Sequence, residues 1–188
     1  MEGKNVMETK ELENNLRNLD QTVLSLGQSI QNMRNSISQC HSQADGLENQ
    51  AQMLMLMVSS EEDQSAVAKM YSQASACMNQ ANAYRIQAEN LQSQMGGMIF
   101  ELSGYKSEYQ SYMSEGQTNL ANLKIAADQL TSMAGSKYGA AKIKEALAAT
   151  KQRMVYNQNL VLGCQKRINW IEQLCGSSGD SYTRARKR

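Results

Sequence analysis

Apolar residues recur at alternating intervals of four and three residues through the first third of the chain. A stripe with an average spacing of 3.5 residues is typical of a helix that packs along its whole length against other helices. One set of stripe positions holds mostly β-branched or small residues and the other mostly leucine, which favours coiled coils of few strands. The fourteen positions are Leu12, Leu16, Leu19, Val23, Leu26, Ile30, Met33, Ile37, Cys40, Ala44, Leu47, Ala51, Leu54 and Val58.

A polar segment at residues 59–63 interrupts this pattern. Ser59 with Glu62, or Ser60 with Asp63, has the spacing of a capping box, in which the hydroxyl accepts a free backbone N–H at the start of a helix. The segment therefore predicts a tight turn between a helix over residues 5–58 and a second helix that folds back on it. A reversal near residue 60 would bring Cys40 close to residue 80.

A second apolar stripe runs from Val67 through Tyr112 to Met133 with the same spacing. Its early positions are rich in alanine, which allows a partner helix to approach closely. Glycine lowers helix stability by up to about 1 kcal/mol relative to alanine. Because Gly116 lies at the level where the first helix runs out, we expect a break there, and hence helices over 62–115 and 117–134.

The last stripe follows a glycine-bounded turn at residues 135–139 and predicts a helix over 139–175. Residues 176–188 are predicted to be a disordered basic tail, since Gly176 and Gly179 are typical of a helix end. The predicted fold is all-α, a single elongated domain over residues 1–175. It consists of an antiparallel, coiled-coil-like helical hairpin with a C-terminal helical hairpin or extension. The stripe residues are Ile143, Leu147, Met154, Val161, Cys164, Ile168, Ile171 and Cys175.

Composition supports a helical chain without a membrane span. The 188 residues include no proline, which breaks helix interiors. The net charge of +1 argues against a dominant field for nucleic acid or membrane. The longest apolar run, residues 53–58, is far shorter than the roughly 20 residues of a membrane span. The polar N-terminus lacks the apolar segment of a signal peptide, so we expect a cytoplasmic protein or one exported without a cleavable signal.

Candidate chemistry is sparse. His41, the single histidine, follows Cys40, but it lies about 100° around the helix from that residue and points away from it. Cys40 and Cys77 could face each other across the hairpin, yet a tetrahedral zinc site needs further convergent ligands. We interpret the cysteines as reduced, buried small side chains, and predict no metal and no cofactor. Since no catalytic motif appears, we expect neither enzymatic activity nor a small-molecule substrate.

Two groups of residues are candidates for protein interaction. Tyr105, Tyr109 and Tyr112 form the main aromatic concentration, although their heptad spacing favours a place in the helical seam. Met53, Met55 and Met57 flank the seam at the end of the first helix, so that this end is apolar all round. Such a surface is covered either by the protein's own helices or by a partner.

The turn at residues 133–141 (Met-Ala-Gly-Ser-Lys-Tyr-Gly-Ala-Ala) resembles the helix–turn–helix junction of the small type VII (ESX) secreted proteins and their toxin-associated relatives. The resemblance covers about residues 117–175 and depends on Gly135 and Tyr138. Met133 stands where those families carry tryptophan or leucine, and no acidic residue follows Tyr182 at the spacing of their secretion signal. The resemblance implies an all-helical bacterial helper or targeting subunit for a secreted toxin.

We therefore expect a non-enzymatic interaction or scaffold protein that self-associates or binds a helical partner, as a homo- or hetero-oligomer. A helper subunit for a type VII-secreted toxin is one alternative. A polyanion-binding module is the other, because the chain ends in a cluster of basic residues: Arg184, Arg186, Lys187 and Arg188.

Overall fold

The computed structural model describes the backbone of residues 2–134 and 139–185 and the side-chain environment of residues 12–134 and 139–176. Over these ranges the chain is all-α, with no strand. Three helices follow one another: α1 (Glu2–Val58), α2 (Gln64–Met133) and α3 (Ala140–Ala185). The predicted all-helical, hairpin-based fold is confirmed.

The first apolar stripe is the packing face of α1. All fourteen of its positions are buried or half-buried, and Val23 and Ile30 are fully buried. The positions of the second stripe are likewise buried or half-buried along α2 as far as Leu130, whereas Met133 is exposed. Burial of apolar area contributes about 25 cal/mol per Å², so this continuous seam is the main source of stability for each helix pair.

The turn between α1 and α2 differs from the predicted capping box. Ser59 and Ser60 donate their hydroxyls back to carbonyls of the last turn of α1, at 2.6 and 3.0 Å. The capping residue of α2 is Asp63, whose Oδ1 accepts the backbone N–H of Ser65 at 2.8 Å. Asp63 is in the position of a helix N-cap, because α2 begins at the next residue, Gln64. Glu61 Oε1 in turn accepts the backbone N–H of Asp63 at 3.1 Å.

The pairing of α1 with α2 is shifted from a simple reversal at residue 60. Ala51 forms one buried cluster with Ala74 and Cys77, whereas a reversal at residue 60 would place residue 69 opposite it. Cys77 therefore lies eleven residues along α1 from Cys40, which is about 16 Å of helix. The expectation that Cys40 and Cys77 face each other is wrong.

Gly116 does not break α2, which is one helix from Gln64 to Met133. It is buried, and a β-carbon added there would lie 3.0 Å from Val161 Cγ2 and 3.1 Å from Leu160 Cδ2. Gly116 is therefore a close-approach position between α2 and α3. The predicted division at residue 116 is wrong because the missing side chain is needed for packing between the helices.

Helix α3 buries Cys164, Ile168 and Ile171 as predicted, together with Leu160. It also buries Asn157, the one polar residue buried among the described side chains, whose amide donates to the Arg153 carbonyl at 2.9 Å. A buried polar residue at a seam position favours one alignment of the helices at some cost in stability.

The last helix continues beyond the predicted end. Residues 176–185 are helical, so the expectation of a disordered tail does not hold over them. Gly176 has no positive φ, and Gly139, just before α3, is the glycine in the described chain that does, with φ +86°. Glycine lowers helix propensity without forcing a helix to end. Residues 186–188, with three of the four basic residues of the tail, lie outside the described part.

The contacts divide the chain into two compact units, Met1–Phe100 and Glu101–Arg188. Unit 1 contains α1 and the first part of α2, and unit 2 contains the rest of α2 and α3. Their charges differ in sign. Unit 1 has eleven acidic and six basic residues, for a net charge of −5, and unit 2 has seven acidic and thirteen basic, for +6.

We predict that Ile30→Asp or Ile37→Asp unfolds unit 1. Each change places an unpaired charge in the buried seam, at a cost of at least about 3 kcal/mol. Circular dichroism during urea unfolding measures the loss. Gln28→Asp is the control, because Gln28 is exposed on the same helix. Equal midpoints for Ile30→Asp and Gln28→Asp would contradict the burial of this stripe.

Gly116→Ala and Gly104→Ala are predicted to have opposite effects on the free energy of unfolding. Gly104 is exposed and a β-carbon added there would have no atom within 4 Å, so alanine gains about 0.5–1 kcal/mol of helix propensity. At Gly116 the contacts with α3 add an overpacking cost of about 1–3 kcal/mol, which makes alanine destabilising. Thermal unfolding of both variants, and of Gly116→Ala combined with Val161→Ala, measures this. Stabilisation by Gly116→Ala equal to that by Gly104→Ala would contradict the close approach.

Candidate protein-interaction groove

The end of α1 carries more apolar side chains than α2 can cover. Residues 53–58 are all apolar, but a helix presents only one side to its partner, and here that side holds Leu54 and Val58. The other four side chains are exposed, between 46% and 72%: Met53, Met55, Leu56 and Met57. A cluster of large exposed apolar residues is typical of an interaction surface.

The three methionines predicted as interaction candidates lie on two different flanks of α1. At about 100° per residue, Met53 and Met57 lie about 160° around the helix from Met55, in opposite directions. Met55 lies on the same flank as Gln52 and Glu48, one and two turns earlier. The structure therefore assigns Met55 to a different surface from Met53 and Met57.

Met55 lines a groove along this flank of the hairpin, which we call the tip groove. It has a volume of about 910 Å³. Helix α2 provides its other wall, and the small side chains of Ala51 and Ala74 form a floor that is almost fully buried. The lining residues are Glu48, Ala51, Gln52, Met55, Leu56, Tyr71, Ala74, Ser75 and Met78.

The walls of the tip groove are apolar and accessible. Tyr71 is 49% exposed, Met78 42% and Leu56 72%. Methionine is flexible and polarizable, so a surface with two methionines can adapt to different apolar side chains. Tyrosine adds a large rigid ring at a low cost in conformational entropy.

Acidic residues lie at the inner end of the groove and in the turn beyond its outer end. Glu48, at the inner end, is paired with Arg85 at 2.7 Å, and Asp45 lies 3.9 Å from the same guanidinium. At the outer end the turn carries three exposed acidic residues in succession, at positions 61–63. The one basic residue between positions 42 and 84, Lys69, lies about 160° around α2 from Tyr71 and so faces away from the groove.

A second groove, of about 540 Å³, lies on the opposite flank of the hairpin. Four glutamines line it, at positions 43, 50, 80 and 87, together with Leu47 and Tyr84. Glutamine side chains are well solvated, and this groove lacks the exposed large apolar side chains of the tip groove. We therefore take the tip groove as the candidate site.

The predicted tyrosine candidates lie in the α2 seam of unit 2. Tyr109 is 1% exposed, so its ring is part of the core, while Tyr105 and Tyr112 are half-buried. The Tyr105 hydroxyl donates to Glu101 Oε1 at 3.3 Å. Burial, the Glu101 carboxylate and the charge of Glu108 raise the pKa of Tyr105 above its ordinary value of 10.0. Tyr109 is therefore a packing residue, while Tyr105 and Tyr112 lie at half-buried positions of the seam.

Two further candidates, Gly135 and Tyr138, lie outside the described residues. Conversely, the three other large apolar residues that line the tip groove beside Met55 are not among the site residues predicted from the sequence: Leu56, Tyr71 and Met78. The sequence does contain a pattern that could have identified Tyr71 and Met78, since each directly follows a seam position, Met70 and Cys77 respectively. Large apolar residues beside a seam indicate a surface that a two-helix pair leaves uncovered.

Metal sites, membrane spans and known relatives give no further identification. Within the described residues, no group of three or more His, Cys, Asp or Glu side chains could hold a metal ion. None of the helices, over the same residues, is long and apolar enough to cross a membrane. No family model, curated protein or solved structure matches the chain.

Glu101→Gln is predicted to lower the pKa of Tyr105 part of the way towards 10.0, because it removes one of the neighbouring charges while the burial remains. A raised folded-state pKa favours the neutral phenol, so its contribution to stability is present below pH 10 and is lost as the pH rises through the folded-state pKa. Phenolate absorbance, as the difference between each protein and its Tyr105→Phe counterpart, measures the shift. An unchanged pKa in Glu101→Gln would contradict the contact.

Proposed function

We propose that this chain is a non-enzymatic helical interaction protein and that the tip groove is its binding surface for a helix. The observation that carries the proposal is the apolar groove beside the turn, with Met55, Tyr71 and Met78 exposed along its walls. An amphipathic helix bound in an apolar groove is a common mode of protein recognition.

The dimensions of the groove support this occupant. Its α1 wall extends from Glu48 to Leu56, which is about 12 Å of helix, or a little over two turns. A bound helix would place two or three apolar side chains over this length, at positions i, i+3 or i+4, and i+7. The alanines of the floor leave room for those side chains between Met55 and Met78.

A helper subunit of a type VII secretion system is a second candidate, because Gly139, directly before α3, has a positive φ. Such a subunit would bind a helical domain of a toxin. A toxin gene adjacent to this one, with a product that co-purifies with this chain, would support the role. Stable isolation of the chain alone from cells that make both proteins would contradict it.

Photo-crosslinking in the producing cells tests the proposed groove. A benzophenone amino acid at position 71, in the groove wall, is expected to give covalent adducts of defined mass with another polypeptide, whether a second copy or a different protein. The same amino acid at position 28, exposed on the outer side of α1, is expected to give none. Equal adduct formation at the two positions, or none at position 71, would overturn the proposal.

A further inference from the structure

A stripe of basic and apolar residues on α3 has the chemistry that the tip groove is suited to bind. Eight exposed residues in the described part of this helix lie within about 60° of one another around its axis, and six of them are basic or apolar. Val155 and Leu162, exposed by 55% and 59%, form its apolar centre, and lysines flank them on both sides. The residues of this α3 stripe are Lys144, Ala148, Lys151, Val155, Leu162 and Lys166.

We propose that the tip groove of one molecule binds the α3 stripe of a second copy. This inference rests on the proposed function and names the partner of the same groove. Charge complementarity favours a second copy, because the groove belongs to a unit of net charge −5 and the stripe to a unit of net charge +6. Complementary charges increase the association rate and select one orientation of the partners.

The distance between the lysines of the α3 stripe also matches the distance between the acidic residues at the two ends of the tip groove. Lys151 and Lys166 are fifteen residues apart, about 22 Å along α3. Glu48 is ten residues, or about 15 Å, from the end of α1, and the turn with its acidic residues follows. Val155 and Leu162, seven residues apart, would then lie over the apolar walls formed by Met55 and Met78, with the lysines near the acidic ends.

This contact is heterologous, since it joins two different surfaces. After two copies bind, one of them retains a free stripe and the other a free groove, so the contact can repeat from copy to copy. Association is therefore expected to continue beyond the dimer as the concentration rises. It is also expected to weaken with salt, since exposed charges are screened at high ionic strength.

Two double variants of the full chain separate the surfaces. Met55→Lys/Met78→Lys alters the groove and leaves the stripe intact, whereas Val155→Lys/Leu162→Lys alters the stripe and leaves the groove intact. All four positions are exposed, so the helices should form, and circular dichroism checks this. Met53→Lys/Met57→Lys is the matched control, because it adds the same two positive charges to unit 1, on the flank of α1 away from the groove.

Sedimentation velocity over a concentration series gives the result. The wild type and the control are expected to associate alike. Each groove or stripe variant alone should bind its own copies about tenfold more weakly or worse. An equimolar mixture of the two variants is expected to form a 1:1 dimer and no larger species, because it restores one native groove with one native stripe.

The other outcomes overturn the inference. A wild type that stays monomeric excludes binding of a second copy, and an oligomer of fixed size at all concentrations excludes a contact that repeats from copy to copy. Equal loss in the control shows an effect of charge alone, and a mixture that stays dissociated excludes a contact between unlike surfaces. If the wild type is monomeric while position 71 still crosslinks to another protein in cells, this inference fails and the proposed function stands.

Discussion

The structure depends on burial of one apolar seam between paired helices. Helix α1 has 57 residues, and its apolar stripe gains free energy only when another helix covers it. Helix α2 provides the surface that covers this stripe. Near the turn, its small residues Ala74 and Cys77 pack against the larger Leu47 and Leu54 of α1. Small residues on one helix let the other approach closely. Small residues also form the floor of the tip groove, Ala51 from α1 and Ala74 from α2.

The all-α class and the packing face of each helix could be predicted because periodicity depends on the sequence alone. The alignment of α1 with α2 could not, because it depends on how individual side chains interdigitate across the seam. Gly116 shows the same limit. From the sequence alone, a glycine in a helix suggests a break, because the helix that packs against it is not known. In the structure Val161 and Leu160 lie against Gly116, so the missing side chain is a requirement of packing. Asn157 was missed because a polar residue interrupts an apolar pattern.

The candidate site was predicted in part. The apolar excess at residues 53–58 indicated a surface at the end of α1, and those methionines are exposed. The pattern in α1 could not show that Met55 lies on a different flank from Met53 and Met57, because the position of α2 decides which flank becomes a groove. Tyr71 and Met78 come from the opposite helix, and only the observed pairing brings them beside Met55. Of the tyrosines of unit 2, predicted to lie in the seam or at an interface, Tyr109 is buried in the core, and Tyr105 and Tyr112 are half-buried in the seam.

The pairing of α1 with α2 determines both the core of unit 1 and the tip groove, so it is the central claim. Nuclear Overhauser spectroscopy with methyl-labelled alanine measures it directly, since methyl groups in one packed cluster give cross-peaks. The account predicts a cross-peak between the Ala51 and Ala74 methyl groups, which lie in one buried cluster. A cross-peak from Ala51 to the exposed Ala68 in place of Ala74 would contradict the pairing, and with it the groove.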